Sequence, residues 1–428
     1  MRDSAEFVSI GVEQLRVGLF IQLDLSWIDH PFFSSSFKIA DEKQLRTLRS
    51  LGLRQIRYCP AKSDVQPLAA ALEVAAPPPP AAETAPDPER EAAMAEKRAR
   101  IERLQKHNES VRRCEQALIS AGRDLKLINE NLFSRPGETV RIADALVGRM
   151  TESMLTDKDV ALHAINDKAG SEDVYYHSLN VTVLSMMLAR ELGHDQIALR
   201  LVGLGALFHD IGKRNLPDKL LRKTEALTRA EQNLLDQHVA YGIDIGRDLG
   251  LPEQALRIIA QHHESADGRG FPAKLRGDAI DPLARLVAVV NAFDNHCNPA
   301  NLDKAMTPHE AVSNLFAKLR PQFDAKILST FIRFMGVYPP GTLVRLSNDA
   351  WGLVLSVNVR KPLKPCVLIH DPAIPREEAM MVDLETEPTL NISKAYRPGQ
   401  LPRETLEYLN PRKRITYYFD EEASGPPA

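Results

Sequence analysis

Leu207-Phe-His-Asp-Ile-Gly-Lys213 is the stretch on which the fold turns. An imidazole and a carboxylate stand side by side at His209 and Asp210, followed by Gly212 and Lys213. Neutral imidazole with carboxylate suits first-row divalent metals. Adjacent residues can serve one ion only where a helix ends or bends, and Gly212 permits that. Asp210 can then bridge two ions, and Lys213 lies within reach to hold a phosphate. A lone lysine is otherwise most often a solvated surface group.

The apolar pattern extends outward from this motif. Val202, Ala206 and His209 keep one helical stripe. His177 keeps another with Val181, Leu184 and Leu188, and His238 a third with Leu235, Gly242, Ile245 and Leu249. His262 follows Ala255, Ile258 and Ile259 in the same way. The spacing therefore predicts separate helices that point several imidazoles and one carboxylate into one interior. A single histidine on such a stripe is more often a hydrogen-bonded core residue than a ligand. The set His177, His209, His238, His262 and His263 with Asp210 is different, because so many imidazoles are costly to bury without a cation. Gln261-His-His-Glu-Ser-Ala-Asp-Gly-Arg-Gly-Phe-Pro272 adds paired imidazoles at a helix end and then a Gly-rich loop. The loop alone is a weak signal, since glycine and proline mark any tight turn. Two divalent ions held this way supply nucleophilic water at neutral pH and neutralise phosphoryl oxygens, so no serine or cysteine nucleophile is needed.

His177, the HDIGK run His209–Lys213, the QHVAYG run Gln237–Gly242, and His262-His263-Glu264 followed by DGRGFP together resemble the HD-GYP family. That family is a branch of the HD hydrolases, and the resemblance covers about Asp173 to Met335. It implies an all-α core, two or three divalent ions (iron or manganese), and hydrolysis of cyclic di-GMP to linear dinucleotide or GMP. By position it implies His177, His209, Asp210, His238, His262 and His263 as metal ligands. It implies Asp210 and Lys213 as catalytic residues, with Lys213 at the scissile phosphate. Asp267, Gly268, Gly270, Phe271 and Pro272 match the substrate or regulatory loop. Phe271 stands for the family's tyrosine and lacks its hydroxyl.

Three departures accompany the resemblance. Asn291 occupies the position of an aspartate ligand, where its carbonyl oxygen can coordinate without charge; Asp294, one turn on, can replace it or stand behind the ligands. Asn295–Lys304 lacks the family's Arg-x-Tyr-Lys-like pattern and leaves only Lys304. Asp173 lies where three-metal members have glutamate, and is read as starting its helix, because acids favour first turns. The opening segment, with Ile10–Leu23 and Ser50–Cys59, resembles a domain of unknown function that often precedes HD-GYP domains.

A chain of 428 residues is expected to form two or three domains. The expected fold class is multidomain: a small α+β N-terminal domain, an all-α HD-type helical domain and a small β C-terminal module. The segments are residues 1–65, a Pro/Ala-rich linker 66–88 around Pro77–Pro80, a helical spacer 89–139, the helical domain 140–336 and the β module 337–420. In the first segment the alternating stretches Val8–Leu15 and Leu19–Leu23 precede a helix near Asp41–Leu51, ended by Gly52, and a strand Gln55–Tyr58. Glu89–Asn131 reads as a long polar helix, either a coiled coil or, because its apolar seam is thin, a solvated spacer. Leu192-Gly193, Leu249-Gly250 and Met335-Gly336 end helices, while Thr228–Glu231, Thr307–Glu310 and Asp281-Pro282 start them. Gly341–Val359 alternates around the turn Asn348-Asp349, Cys366–His370 is a strand, and a polar tail follows Phe419.

Composition narrows the function classes. A net charge of −3 argues against a DNA or RNA binder. No run approaches the roughly 20 apolar residues of a membrane span, and the acidic start MRDSAEFVSIGVEQL is no signal peptide. Cys59, Cys114, Cys297 and Cys366 are scattered, which fits reduced thiols in a cytoplasm and argues against a cysteine zinc site. Asp24, Asp29 and His30 are read as polar turn residues. The expected partners are cyclic di-GMP, a GGDEF-domain protein and, through the long helix, a second copy. The rivals are a degenerate HD-GYP protein that binds metal, nucleotide or partner without turnover, an HD phosphohydrolase for another nucleotide, and a metal-free scaffold.

Overall fold

The computed structural model describes residues 7–25, 30, 32, 36–68, 88–156, 162–165, 173–299, 301–358, 361–372, 374, 376, 379–409 and 416–419. They belong to two compact units, residues 1–106 with 371–381 and residues 107–370 with 382–428. The linker prolines Pro77–Pro80, Asp29 and the tail after Phe419 lie outside the described residues.

In the N-terminal unit, β1 (Val8–Gly11), β2 (Phe20–Gln22), β3 (Ser36–Lys38) and β4 (Gln55–Tyr58) form an antiparallel sheet in the order β1-β4-β2-β3. Helix α1 (Glu42–Ser50) starts at Asp41, whose carboxylate accepts from the Gln44 N–H at 2.7 Å. Gly52, beyond its end, has φ +71°. The alternation over Val8–Leu15 is not one strand. Gln14 Oε1 accepts the Gly11 N–H at 2.9 Å and turns the chain into a short 3-10 segment, Val12–Gln14. Ile10, Leu19, Ile21, Leu45, Leu48 and Ile56 form the core. Asp24 is paired with Arg57 at the surface.

Helix α2 (Pro88–Asn131) is longer than any other element, and the expectation of a solvated spacer does not hold for its second half. Cys114, Leu118, Ala121, Leu125 and Ile128, spaced by four, three, four and three, are buried in the main hydrophobic core. Helix α3 (Pro136–Thr156) runs across the expected boundary at 139/140 and adds Ala143, Leu146, Val147, Met150 and Met154 to that core.

The helical layer continues with α4 (Asp173–Glu191), α5 (Gln196–Phe208), α6 (Asp218–Leu221), α7 (Arg229–Asp236), α8 (His238–Asp248), α9 (Glu253–Gln261), α10 (Pro282–Cys297), α11 (Pro308–Ala317) and α12 (Ala325–Met335). Capping boxes start α7 at Thr228 and α11 at Thr307, and Asp281 caps α10 ahead of Pro282. Gly193, Gly250 and Gly336 take positive φ at helix ends. One strand interrupts the helical region: β5 (Leu162–Ile165) pairs antiparallel with a strand near the end of the sequence, Thr416–Phe419.

After α12 come β6 (Leu343–Leu346), β7 (Trp351–Ser356), β8 (Cys366–Ile369), β9 (Met380–Asp383) and β10 (Ile392–Tyr396), a sheet in the order β10-β6-β7-β8-β9. The β6–β7 turn places Asp349 at φ 63°. Helix α13 (Arg403–Leu409) and β11 (Thr416–Phe419) complete the chain.

Candidate metal centre

The helices end where the site begins. His177 lies in the second turn of α4, which starts at Asp173. His209 closes α5, and Asp210 opens a 3-10 segment, Ile211–Asn215. The expected single helix through Leu235 and His238 is broken: α7 stops at Asp236, and His238 is the first residue of α8. His262 closes α9, and His263 follows it. Four of the five histidines thus stand at helix ends, where adjacent side chains can converge.

Gly212 is needed for a different reason from the one its sequence position suggests. Its φ is not positive; a Cβ there would come within 1.9 Å of the His238 carbonyl oxygen and 2.4 Å of the Gly242 nitrogen. The 3-10 segment lies directly on α8, and only glycine allows that approach.

The second ring nitrogens fix the tautomers. Nδ1 donates to a carbonyl oxygen three residues back in His209 (Ala206, 2.7 Å), His238 (Leu235, 2.6 Å) and His262 (Ile259, 2.8 Å). A carbonyl only accepts, so each Nδ1 carries a proton and Nε2 is the nitrogen left to face the site. The Nδ1 of His177 meets Asp294 Oδ2 at 2.7 Å. Asp294 is fully buried and also accepts from Asn180 and Asn298. It holds His177 from behind and is not among the converging donors.

The Nε2 atoms face one another. His177 Nε2 is 3.2 Å from His209 Nε2, and His238 Nε2 is 3.4 Å from His262 Nε2. Burial keeps His238 and His262 neutral, and two such acceptors at 3.4 Å repel unless a cation lies between them. The two oxygens of Asp210 divide the set. Oδ2 faces His177 and His209 at 3.4 and 3.3 Å; Oδ1 faces His238 and His262 at 3.5 and 3.9 Å. Oδ1 is buried with no hydrogen-bond partner, an unusual state for a carboxylate. Two donor groups result, Asp210 with His238, His262 and His263, and Asp210 with His177 and His209. The residues present fit two divalent ions sharing one carboxylate.

Burial lowers the pKa of His238, as it does those of His262 and, to about 3, His263, with neighbouring imidazoles adding to the effect. Burial would also lower His177, but hydrogen bonds and charge from Asp210 and Asp294 outweigh it and hold this ring at about 9. Burial acts to raise Asp210, yet Lys213 and His209 hold it well below the usual carboxylate range.

Around the donors, Lys213 Nζ lies 2.5 Å from Asp210 Oδ2, so it is not a free surface lysine. Phe271 stacks on His263, with ring centroids 4.5 Å apart. A Cβ on Gly270 would come within 2.4–2.6 Å of Ser265, Glu264 and His263 backbone atoms, so the loop folds tightly onto the end of α9. Asp267 braces the loop through Ser265 and the Arg269 N–H, Gly268 takes φ +76°, and the Phe271-Pro272 bond is cis. Sequence reasoning did not give Glu264 a role. It is buried and accepts the N–H groups of Ala273 (2.7 Å) and Leu275 (2.8 Å), tying down the far side of the loop. Its signal was only an acid placed between the imidazole pair and the glycines.

Asn291 is buried on the face of α10 that carries Asp294 three residues later, and its Oδ1 accepts from Asn295 at 2.8 Å. Lys304 is exposed in a 3-10 segment, Leu302–Lys304.

The domain family "HD domain" matches residues 149–327, and "Domain of unknown function (DUF3391)" matches residues 8–143, through α2 into α3. The cyclic di-GMP phosphodiesterase PA4108 of Pseudomonas aeruginosa is 31% identical over 366 residues, 84% of each chain. The cyclic di-GMP phosphodiesterase response regulator RpfG of Xanthomonas campestris pv. campestris is 32% identical over 149 residues, 34% of this chain and 39% of that protein. The solved HDG"Y"P protein Bd1817 from Bdellovibrio bacteriovorus aligns at 19% identity and a TM-score of 0.44, covering 76% of this chain and 98% of its own. With its helical donor cluster, its two matched domains and a relative similar over most of both chains, this chain belongs to the HD-GYP family of HD-domain phosphodiesterases, in the form with a DUF3391 domain ahead of the HD domain.

Proposed function

We propose that this chain hydrolyses the phosphodiester bonds of cyclic di-GMP, to linear dinucleotide or GMP, with two divalent ions, iron or manganese. One ion would be held by His177, His209 and Asp210, with Asn291 as a neutral oxygen donor, and the other by Asp210, His238, His262 and His263. The observation that carries the reading is the division of Asp210: each oxygen faces its own pair of imidazole nitrogens, and one oxygen is buried without a hydrogen-bond partner. The substrate follows from relatives named as cyclic di-GMP phosphodiesterases.

Bound ions would supply activated water and neutralise the phosphoryl and leaving oxygens. The chain's own residues do the rest. The carbonyls of Ala206, Leu235 and Ile259 keep the rings turned with Nε2 toward the site. Lys213, partly exposed beside Asp210, is placed to hold a phosphoryl oxygen. Phe271 stacks on His263 and fixes that ring beside the other donors.

A second reading, a degenerate member that binds without turnover, is favoured by Asn291, whose carbonyl oxygen is engaged by Asn295, and by the lone exposed Lys304. The partners that go with the enzyme are a GGDEF-domain protein and a second copy of the chain; their support is the family resemblance and the length of α2. A cytoplasmic site suits the scattered cysteines of the sequence. Among the described residues no helix is long and apolar enough to cross a membrane.

The test is metal content and turnover of anaerobically purified protein against a panel of cyclic dinucleotides, beside Asn291→Asp. Two ions per chain with preferred cleavage of cyclic di-GMP supports the proposal. Bound metal with turnover only in Asn291→Asp supports the degenerate reading. Preference for another dinucleotide replaces the substrate.

A further inference from the structure

The two oxygens of Asp210 are not equivalent, and the difference lies in Lys213. Oδ1, on the His238 and His262 side, has no hydrogen-bond partner and no cationic side chain bonded to it. Oδ2, on the His177 and His209 side, already holds the Lys213 ammonium at 2.5 Å. The first side also has three imidazoles to the second side's two. A divalent ion entering among His177, His209 and Oδ2 therefore meets a like charge on the oxygen that should bind it. An ion entering on the other side does not.

Lys213 has somewhere else to go. It stands in the short Ile211–Asn215 segment, its side chain is 35% exposed, and Asp210 is the carboxylate it pairs with among the described residues. A substrate phosphate offers it a second anionic partner. We propose that Lys213 makes the second ion conditional on substrate: in the substrate-free protein its ammonium weakens the His177–His209 position, and an arriving phosphate draws it off Oδ2 and tightens that position. This rests on the reading of Asp210 as a carboxylate shared by two ions. Linkage makes the coupling reciprocal, so the second ion tightens phosphate by the same factor.

The test is a Mn2+ titration by calorimetry and electron paramagnetic resonance, with and without GMP as the phosphate probe. Native protein, Lys213→Met and Lys213→Arg are compared. The native chain should show one tight and one weaker step, with the weaker step tightened by GMP. Lys213→Met should tighten the weaker step by at least roughly ten-fold without GMP, the scale of removing one close like charge, and should abolish the GMP effect. Lys213→Arg keeps the charge and should keep the native spread. Equal second-step affinities in native and Lys213→Met, or an undiminished GMP effect in Lys213→Met, overturn the proposal. The titration involves no turnover, so it stands whether or not cyclic di-GMP is cleaved. A native protein that takes up no second ion under any condition overturns both this proposal and the two-ion reading.

Discussion

Glu264 and Gly212 show how single residues hold this site without touching its donors. Glu264, itself buried, accepts two N–H groups beyond the loop. Glu264→Ala leaves both unsatisfied and should cost about 2–4 kcal/mol in denaturant unfolding; Glu264→Gln keeps one acceptor and should cost less. Equal losses in the two variants would show that the carboxylate is not what fastens the loop. Gly212→Ala puts a methyl group against the His238 and Gly242 backbone, which cannot yield as a flexible side chain would. It should lower stability by more than about 3 kcal/mol and reduce bound metal. A variant with native stability and metal content would contradict the close approach. The need for a glycine at 212 was legible in HDIGK, but the reason was not. It depends on α8, more than twenty residues later, lying on that backbone.

Elements were legible where their signals are local. Thr228 and Glu231 announced a capping box, and it starts α7, with Lys223 bonded to both Glu231 oxygens at 2.7 Å. Thr228→Ala should cost about 1 kcal/mol. The hydrogen bond from Lys223 and those from Thr228 lower the Glu231 carboxyl from 4.5 to about 2. The folded carboxyl therefore stays ionised where the unfolded one would take up a proton. Its contribution is complete above about 4.5 and fades as pH falls toward 2. Glu231→Gln should flatten this part of the acid limb in a pH series of unfolding midpoints, and an unchanged limb would argue against it. The break at Gln237 was not legible, because no glycine or proline marks it. Leu235 and His238 kept helical spacing across it, so the sequence placed His238 inside a helix although it starts one.

At the scale of the whole molecule, the HD domain takes core residues from a helix that the sequence presents as a spacer. Leu118 and Leu125 of α2 are 3% exposed. Either one replaced by alanine should destabilise the domain by about 2–5 kcal/mol, whereas a solvated spacer would keep the change within about 0.5 kcal/mol. The sequence hid this because the buried positions of α2 include Cys114 and Ala121, which leave a thin stripe in a charged helix. It also hid the β5–β11 pair, whose strands are some 250 residues apart and carry no local sign of each other. The fold class and the convergence of histidines on Asp210 were legible, because apolar periodicity and adjacent imidazole and carboxylate are written locally.

The central claim is that Asp210 joins two cations. Anomalous scattering at the manganese edge from crystals of the Mn2+-loaded protein tests it most directly. The account predicts two peaks, one between Asp210 Oδ1 and His238, His262 and His263, the other between Oδ2 and His177 and His209. A single peak on one side, two peaks that do not share Asp210, or none at all would contradict it.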